Sequence, residues 1–340
     1  MNVMREAVRF YDQNDPFCLA LIVAKSGSAP QTPGAKGLFL RDGRIVGTIG
    51  GGCLEMEARR IGLQALAAGE PILREFKLDD DFGWDDGLIC GGRVQVLLLP
   101  NPKAYVDALR AACEPSAKGV VEFWLTTGRA EFIPFEALDA VQLKALSTRR
   151  ETLFEERFIL PVAPAEKLVV FGAGHIGAQI ANMASGLGFS VTIVDDRAEF
   201  LAESRLPNVN ARVEMKPSQF AASLQTDDDT YLCIVTRGHR NDALVLRELI
   251  NKPHAYIGMI GSKRKREVVR AQMLRENLCT ESQFEKVRSP MGLDIGAETV
   301  EEIAVSVLAE IVRVRAEKRG PVAARCGQRP MAVRSTKPAE

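Results

Sequence analysis

Two cysteines in the first hundred residues stand beside runs of glycine, in Gly50-Gly51-Gly52-Cys53 and in Cys90-Gly91-Gly92. Glycine leaves a neighbouring thiol uncovered, and its backbone lets N–H groups approach an anionic ligand closely. A free cysteine is often only a small buried hydrophobe, so either site alone could be structural. Two such sites in one region of the chain predict a thiol-lined pocket for a polar, anionic or sulfur-binding ligand.

The residues elsewhere in the chain narrow the chemistry of these thiols. No two of the seven cysteines have the spacing of structural zinc sites, and the three histidines all lie in the second half of the chain. A Cys–His nucleophile is therefore unsupported as well. Cys53 begins a predicted helix, whose N-terminus favours the thiolate form. One remaining interpretation is a thiol that contacts a cofactor or supplies sulfur to it, and this role is better supported for Cys53 than for Cys90. The other is a structural role for each cysteine at a close-packed turn.

Two loops accompany the thiols. The segment 27–36 is rich in glycine, serine and proline, which predicts a rigid loop that displays backbone donors and hydroxyls. Lys36 would be its counter-charge for an oxyanion. The acidic, glycine-bearing stretch 79–87 comes just before Cys90, and its length and composition indicate a binding loop rather than a connector.

A second motif follows a short apolar run at 168–171. Gly172-Ala173-Gly174-His175-Ile176-Gly177 matches G-x-G-x-x-G between a predicted strand and a predicted helix, the context of a dinucleotide-binding turn. Asp195 ends the next strand, where a carboxylate can accept hydrogen bonds from the 2′-OH of an adenosine ribose. Because Arg197 is nearby, a ribose that is phosphorylated at this hydroxyl stays an open alternative. The alternative is a Rossmann fold that keeps the glycine turn for packing or for another phosphate.

Further basic groups should meet at the same edge, because open α/β sheets bind ligands at the carboxyl ends of their strands. Arg237-Gly238-His239-Arg240 and Gly261-Ser262-Lys263-Arg264 each follow a predicted strand, and their cationic side chains suit phosphate. His239 and Lys263 are candidate ligand contacts. Lys265 and Arg266, further along the helix, are predicted to lie on a solvated face.

The elements that position these motifs indicate two domains. Residues 1–158 mix helices with strands, including a hairpin at Asp42-Gly43, whereas residues 159–318 alternate strand and helix as a parallel sheet does. The predicted fold class is α/β, with a C-terminal Rossmann-like doubly wound parallel sheet preceded by a mixed α/β N-terminal domain. The polar segment 319–340 is predicted to be a disordered tail.

Composition excludes several classes of protein. The 340 residues carry 44 lysines and arginines against 44 aspartates and glutamates, so nothing indicates a nucleic-acid groove or a membrane surface. We expect no signal peptide and no membrane span. Seven scattered cysteines do not form a disulfide framework, which favours the reducing cytoplasm.

The order of the motifs resembles the XdhC/CoxI family, accessory factors of molybdenum hydroxylases such as xanthine dehydrogenase and carbon monoxide dehydrogenase. The matching segments run in one order over nearly the whole chain: G-S-A-P-Q-T-P-G-A (27–35), G-G-G-C-L-E (50–55), C-G-G (90–92), G-A-G-H-I-G (172–177), V-D-D-R (194–197), T-R-G-H-R-N-D (236–242), Y-I-G-M-I-G-S-K-R-K (256–265) and S-P-M-G-L-D-I-G-A (289–297).

The resemblance implies a chaperone rather than a catalyst. Such a factor binds the molybdenum cofactor (molybdopterin), protects it during sulfuration and inserts it into an apo-molybdenum hydroxylase. A cysteine desulfurase-type protein is the expected sulfur donor. A homodimer is also expected, because a dimer would suit a two-domain factor that hands over cargo. Cys53 and Cys90 would face the cofactor and its metal, and Gly50 to Gly52, with Gly91 and Gly92, would accommodate the pterin phosphate or nucleotide.

A different class of function stays open beside this one. The turn at Gly172, Gly174 and Gly177, together with Asp195, also suits an NAD(P)-binding oxidoreductase or a protein that senses a dinucleotide. No proton-relay pair accompanies the turn in the sequence, so this alternative ranks second. A pure interaction module is a third interpretation.

Overall fold

The computed structural model describes residues 2–78 and 91–320. The chain divides into two compact units, Met1–Pro164 with the segment from Arg319 onward, and Ala165–Lys318. This division falls a few residues after the predicted one. The predicted loop 79–87, Cys90 and residues 321–340 of the predicted tail lie outside the described residues.

The first unit begins with a five-stranded sheet in which all neighbouring strands are antiparallel, in the order β3-β2-β1-β5-β4. Its strands are β1 (Phe17–Ser26), β2 (Lys36–Leu40), β3 (Ile45–Gly47), β4 (Ile72–Lys77) and β5 (Arg93–Leu99). Two helices go with it, α1 (Val3–Asp12) and α2 (Gly52–Ala68). The predicted hairpin is confirmed, since β2 pairs with β3 and Asp42 accepts the Arg44 N–H at 2.9 Å.

The central strand β1 is buried on both faces, which explains its continuous apolar sequence. Phe17, Leu19 and Leu21 join a core with α1, while Cys18 and Ala20 join a second core with α2. The predicted helix at Cys53 is also confirmed: it is α2, which Gly69 caps in the left-handed conformation.

A second, four-stranded antiparallel sheet completes the first unit, in the order β7-β6-β9-β8. Its strands are β6 (Gly119–Trp124), β7 (Ala130–Pro134), β8 (Thr152–Phe154) and β9 (Arg157–Val162), and its helices are α3 (Val106–Ala112) and α4 (Ala140–Thr148). Because β9 pairs with β6, residues 159–162 belong to the sheet of the first unit.

The second unit is a parallel five-stranded sheet in the order β12-β11-β10-β13-β14. Its strands are β10 (Lys167–Phe171), β11 (Ser190–Asp195), β12 (Ala211–Glu214), β13 (Thr230–Ile234) and β14 (Tyr256–Met259). Its helices are α5 (His175–Gly186), α6 (Pro217–Ser223), α7 (His239–Leu249), α8 (Lys263–Arg275), α9 (Glu281–Phe284) and α10 (Val300–Arg319).

Helices cover both faces of this sheet, which confirms the doubly wound prediction. Leu168 and Val170 of β10 face a core that includes α5 and α10, whereas Val169 and Phe171 face a core that includes α7 and α8. The chain builds outward from β10 to one edge and then returns to β13 on the other side, so strand order reverses between β10 and β13. Open α/β sheets bind ligands outside the carboxyl ends of the strands at such a point.

The last helix, α10, begins at a capping box. The Thr299 hydroxyl accepts the Glu302 N–H at 3.2 Å, and the Glu302 carboxylate accepts the Thr299 N–H at 3.0 Å, forming the capping box. Over the described ranges 2–78 and 91–320, none of the helices combines the length and the apolar character needed to cross a bilayer.

Candidate functional site

Three motifs of the first unit meet at one end of its larger sheet. Ser26 at the end of β1 pairs with Arg93 at the start of β5, and Gly37 at the start of β2 pairs with Gly47 at the end of β3. The loop after β1, the glycine run before α2 and the glycines before β5 therefore leave the sheet on the same side. The topology brings together segments that lie more than sixty residues apart in the chain.

Close backbone contacts join these segments. Ser28 forms a parallel bridge with Gly91, and a Cβ on Gly92 would overlap the carbonyl of Ser28. A Cβ on Gly50 would lie 2.7 Å from Cγ of Pro30. Glycine is required at both positions because the loop after β1 packs directly on them.

The remaining glycines of the run serve a different purpose. Gly51 and Gly52 have φ angles of 70° and 57°, and a Cβ on either would meet nothing within 4 Å. Gly51 caps α2 and Gly52 is its first residue, and within the ranges 2–78 and 91–320 both leave open space beside the half-buried thiol of Cys53. Among the described residues no acceptor takes the N–H groups of Gly52 and Cys53. In the part of the chain that the structure describes, the arrangement is a cradle of backbone donors without an acceptor, next to a half-buried sulfur.

The second thiol cannot be placed in this cradle directly. Cys90 lies outside the described residues, although the next residue, Gly91, contacts the loop at Ser28. The approach of Cys53 to Cys90 stays a prediction. In the described part of the chain, no group of three or more His, Cys, Asp or Glu side chains could hold a metal ion.

Lys36, the predicted counter-charge for an oxyanion at the loop 27–36, lies near the carboxyl group of Glu151. Burial lowers the pKa of Lys36, and the charge of Glu151 acts in the opposite direction. Burial likewise raises the pKa of Glu151, while Lys36 opposes that shift. Glu151 also packs on Gly34, where a Cβ would overlap its side chain. The ammonium of Lys36 is thus already opposed by a negative charge within the first unit.

The three glycines of the turn in the second unit, Gly172, Gly174 and Gly177, have different surroundings. A Cβ on Gly172 would lie 2.5 Å from the carbonyl oxygen of Val235, and one on Gly177 would overlap the carbonyl of Gly172. Gly174 instead opens to free space, where a ligand can approach the start of α5. This matches the separate roles of turn, ligand approach and helix packing in a dinucleotide-binding loop.

A cavity of about 370 Å³ opens at the carboxyl ends of β10, β11 and β13. Most of its lining side chains are polar or charged, and three are cationic. The lining residues are Gly172, Asp195, Asp196, Arg197, Lys216, Pro217, Ser218, Thr236, Arg237, Asn241, Leu244 and Val245.

Asp195 lines this cavity but its carboxylate is held inside the protein. It accepts the N–H of Ala173 at 2.7 Å and three donors of Arg197: the backbone N–H at 3.1 Å, Nε at 2.8 Å and Nη2 at 3.0 Å. Burial alone would raise the pKa of Asp195, but the hydrogen bonds from Arg197 and Ala173 outweigh it and the net pKa is lowered. A ribose hydroxyl would have to compete with these bonds.

A buried cluster beside the cavity was not predicted from the sequence. Asp242 on α7 is fully buried, and it accepts the N–H of Thr236 at 3.1 Å and its hydroxyl at 2.5 Å. The ammonium of Lys265 pairs with the other carboxylate oxygen and donates to the Ile260 carbonyl at 2.9 Å. Burial raises the pKa of Asp242 despite Lys265 and Thr236.

The prediction that Lys265 and Arg266 lie on a solvated face is therefore wrong. Each side chain is only 20% exposed, and Arg266 pairs with Glu285 at 3.2 Å. Thr236 and Asp242 belong to one stretch, T-R-G-H-R-N-D, whose polar residues at a strand end were the available signal. Lys263 starts α8 as an exposed side chain and does not line the cavity. The side chain of His239 lies outside the described residues, so its ligand contact stays a prediction.

Two family models match the chain. One, described as the XdhC and CoxI family, covers residues 10–77, and the other, described as the XdhC Rossmann domain, covers residues 168–311. The first match contains the cradle at α2, and the second contains the glycine turn and the cavity.

Curated relatives align over most of the chain. A protein of Bacillus subtilis (strain 168), named as a probable subunit of xanthine dehydrogenase, is 30% identical over 315 residues, covering 87% of this chain and 92% of that protein. The molybdenum cofactor insertion chaperone PaoD of Escherichia coli (strain K12) is 24% identical, covering 92% and 88%. The uncharacterized protein YqeB of Escherichia coli (strain K12) is 30% identical, but the chain spans only 46% of its length.

The fold is similar to that of a solved structure. A crystal structure described as a xanthine dehydrogenase from Bacillus halodurans superposes with a TM-score of 0.76 at 25% identity, covering 92% of this chain and 96% of that one. The similarity extends over both units of the chain.

Proposed function

The chain belongs to the XdhC and CoxI family, and from that premise we propose that it is an accessory factor that binds the molybdenum cofactor and inserts it into a hydroxylase of the xanthine dehydrogenase type. The name of one relative, a molybdenum cofactor insertion chaperone, supports this role. The factor acts as a chaperone and not as a catalyst.

One observation carries the proposal: the open cradle where three segments meet beside Cys53. The N–H groups at the start of α2, which have no acceptor among the described residues, suit the phosphate of a pterin cofactor, because a helix N-terminus attracts anions. A soft thiolate suits a molybdenum–sulfur centre. Open space at Gly51 and Gly52 lets the cargo reach both groups.

Several finer points belong to the same proposal. Cys90, next to the bridge at Gly91, is the second thiol that faces the cargo while a cysteine desulfurase-type donor supplies its sulfido ligand. The factor works in the reducing cytoplasm, where its thiols stay free. It is a homodimer, an arrangement that suits a carrier handing over cargo.

The test is cofactor content after production in a molybdenum-replete host. The purified protein should carry pterin, measured by the fluorescence of its oxidised form, and Cys53→Ala should lower the content several-fold. Cys113→Ala is the matched control, because Cys113 is also a half-buried cysteine of the first unit and lies at the end of α3, away from the cradle.

A functional readout completes the experiment. Wild-type protein should activate a co-expressed apo-hydroxylase, and Cys53→Ala should do so poorly. Protein without pterin under every condition, together with full activation by Cys53→Ala, would overturn the proposal.

A second candidate function rests on the cavity at Gly172. Its position at the strand reversal favours a bound dinucleotide, so the chain could act as an NAD(P)-dependent oxidoreductase or as a dinucleotide sensor. Turnover of NAD(P)H with aldehyde substrates, or of NAD(P)⁺ with hydroxy-acid substrates, by the purified protein would support the enzyme. Binding without turnover would support the sensor.

A further inference from the structure

We propose that the cavity of the second unit selects a 2′-phosphorylated dinucleotide, NADP rather than NAD. Arg197 takes up the hydrogen-bonding capacity of the Asp195 carboxylate and presents a cation to the ligand where a free carboxylate would otherwise stand. This inference concerns a site in the second unit, and it stands independently of cofactor insertion at the cradle of the first unit.

Asp195 has no acceptor capacity left for a ribose diol. An ionised carboxylate offers about four lone-pair sites, and four donors already contact it, three from Arg197 and one from the glycine turn at Ala173. A diol that displaced Arg197 would break an ion pair whose carboxylate is only 3% exposed. It would also replace charge-assisted hydrogen bonds with weaker bonds from neutral hydroxyls.

Arg197 is held in place yet still reachable. Its guanidinium lies over the ring of Phe200, with Cζ 3.7 Å from the ring centroid. Nε and Nη2 bond Asp195, whereas among the described residues Nη1 has no hydrogen-bond acceptor. The side chain is 28% exposed. An arginine fixed in this way offers a preorganised donor to an oxyanion.

The neighbouring lining residues strengthen the positive potential. Lys216 and Arg237 both line the cavity, and neither makes an ion pair with any described residue. Apart from the Asp195–Arg197 pair, the described lining residues therefore include two cations and one carboxylate, that of the exposed Asp196. The hydroxyl of Ser218 adds a further donor.

The strand order places these groups where the adenosine ribose of a dinucleotide lies. Asp195 pairs with Glu214 of β12, and Lys216 follows Glu214 by two residues, so Lys216 reaches the same edge as Arg197. The glycine turn after β10 lies next to this edge and takes the pyrophosphate. A phosphate on the ribose 2′ oxygen would project toward Arg197 and Lys216, the position that an arginine fills in NADP-binding Rossmann folds.

Isothermal titration of the full-length protein tests the selection. NADP⁺ should bind at least about tenfold more tightly than NAD⁺ at low ionic strength, and added salt should reduce the difference. Adenosine 2′,5′-bisphosphate should likewise bind more tightly than adenosine 5′-diphosphate. This last comparison separates recognition of the 2′ position from general attraction of phosphate.

Two variants locate the selection in named residues. Lys216→Gln should lower the NADP⁺ preference several-fold, whereas Lys286→Gln, at an exposed lysine of the same unit outside the cavity, should leave it unchanged. Arg197→Gln frees Asp195 and should shift the preference toward NAD⁺. The double variant Asp195→Asn with Arg197→Gln leaves no buried charge unpaired, and it should keep only the smaller part of the NADP⁺ preference that Lys216 supplies.

Equal affinities for the two nucleotides, a preference for NAD⁺, or no binding of either by the wild-type protein would each overturn the inference. The same would follow if adenosine 5′-diphosphate bound as tightly as the 2′,5′-bisphosphate. Pterin content and hydroxylase activation are measured separately, so failure here leaves the proposed function standing, and failure of cofactor binding leaves this selection standing.

Discussion

Two aspartates beside the cavity show how different partners decide the state of a buried carboxylate. The pKa of Asp195 is lowered because hydrogen bonds from Arg197 and Ala173 outweigh its burial. The pKa of Asp242 is raised because its deeper burial outweighs Lys265 and Thr236. Asp195 therefore fixes the glycine turn through its contact with Ala173, whereas Asp242 ties the end of β13 to α7 and α8.

Removing the cation of the deeper pair should be strongly destabilising. Lys265→Met leaves Asp242 buried without its ammonium, and the loss of one partner of a buried pair costs about 3–5 kcal/mol. Lys263→Met, at an exposed position two residues earlier, should change stability by less than about 0.5 kcal/mol. Urea unfolding of both variants measures the difference.

A compensating change distinguishes the charge from the packing of the side chain. Asp242→Asn combined with Lys265→Met should recover part of the lost stability, because the uncompensated charge is gone. Equal stability of Lys265→Met and Lys263→Met would show that the pair contributes nothing.

At the scale of elements, the glycine turn and α5 depend on one close approach. A methyl group on Gly177 overlaps the carbonyl oxygen of Gly172, so Gly177→Ala must push α5 away from β10 and should destabilise by about 1–3 kcal/mol. Nucleotide binding at the turn should weaken with it. Gly186→Ala lies on the same helix with open space around it, and there alanine should stabilise by up to about 1 kcal/mol.

Thermal unfolding followed by circular dichroism compares the two alanine variants. Opposite signs of the change in midpoint are expected. If Gly177→Ala were as stable as wild type, the close contact between α5 and the turn would not hold in solution.

The elements themselves were predictable where one local signal sufficed. The buried run of β1, the Asp42-Gly43 hairpin and the capping box at Thr299 each follow from neighbouring residues. The burial of Lys265 was not predictable in this way, because its partner Asp242 lies on another helix. The polar residues around Lys265 in the sequence do not show that a distant carboxylate packs against it. Spacing likewise placed Asp195 at the strand end but could not show that Arg197 would fold back onto it.

At the scale of the whole molecule, the second unit contains complete cores of its own. Residues 165–318 include both apolar clusters that flank the parallel sheet. We expect this segment, expressed alone, to unfold in one cooperative transition. A segment of residues 165–299 lacks α10, which contributes Ala304, Val307 and Ile311 to one core, and it should not fold cooperatively. Denaturant titration followed by circular dichroism measures both, and a gradual transition of the longer segment would contradict the expectation.

The strand order β3-β2-β1-β5-β4 also has a consequence for biosynthesis. Chains grow at roughly 5–20 residues per second, so β1 leaves the ribosome on the order of ten seconds before its neighbour β5 is complete. Throughout that interval one edge of an apolar strand is open, a state that favours aggregation and chaperone capture. The bridge from Ser28 to Gly91 closes only when β5 arrives. Under the proposed function, we therefore expect loading of the cofactor to follow translation of the whole first sheet.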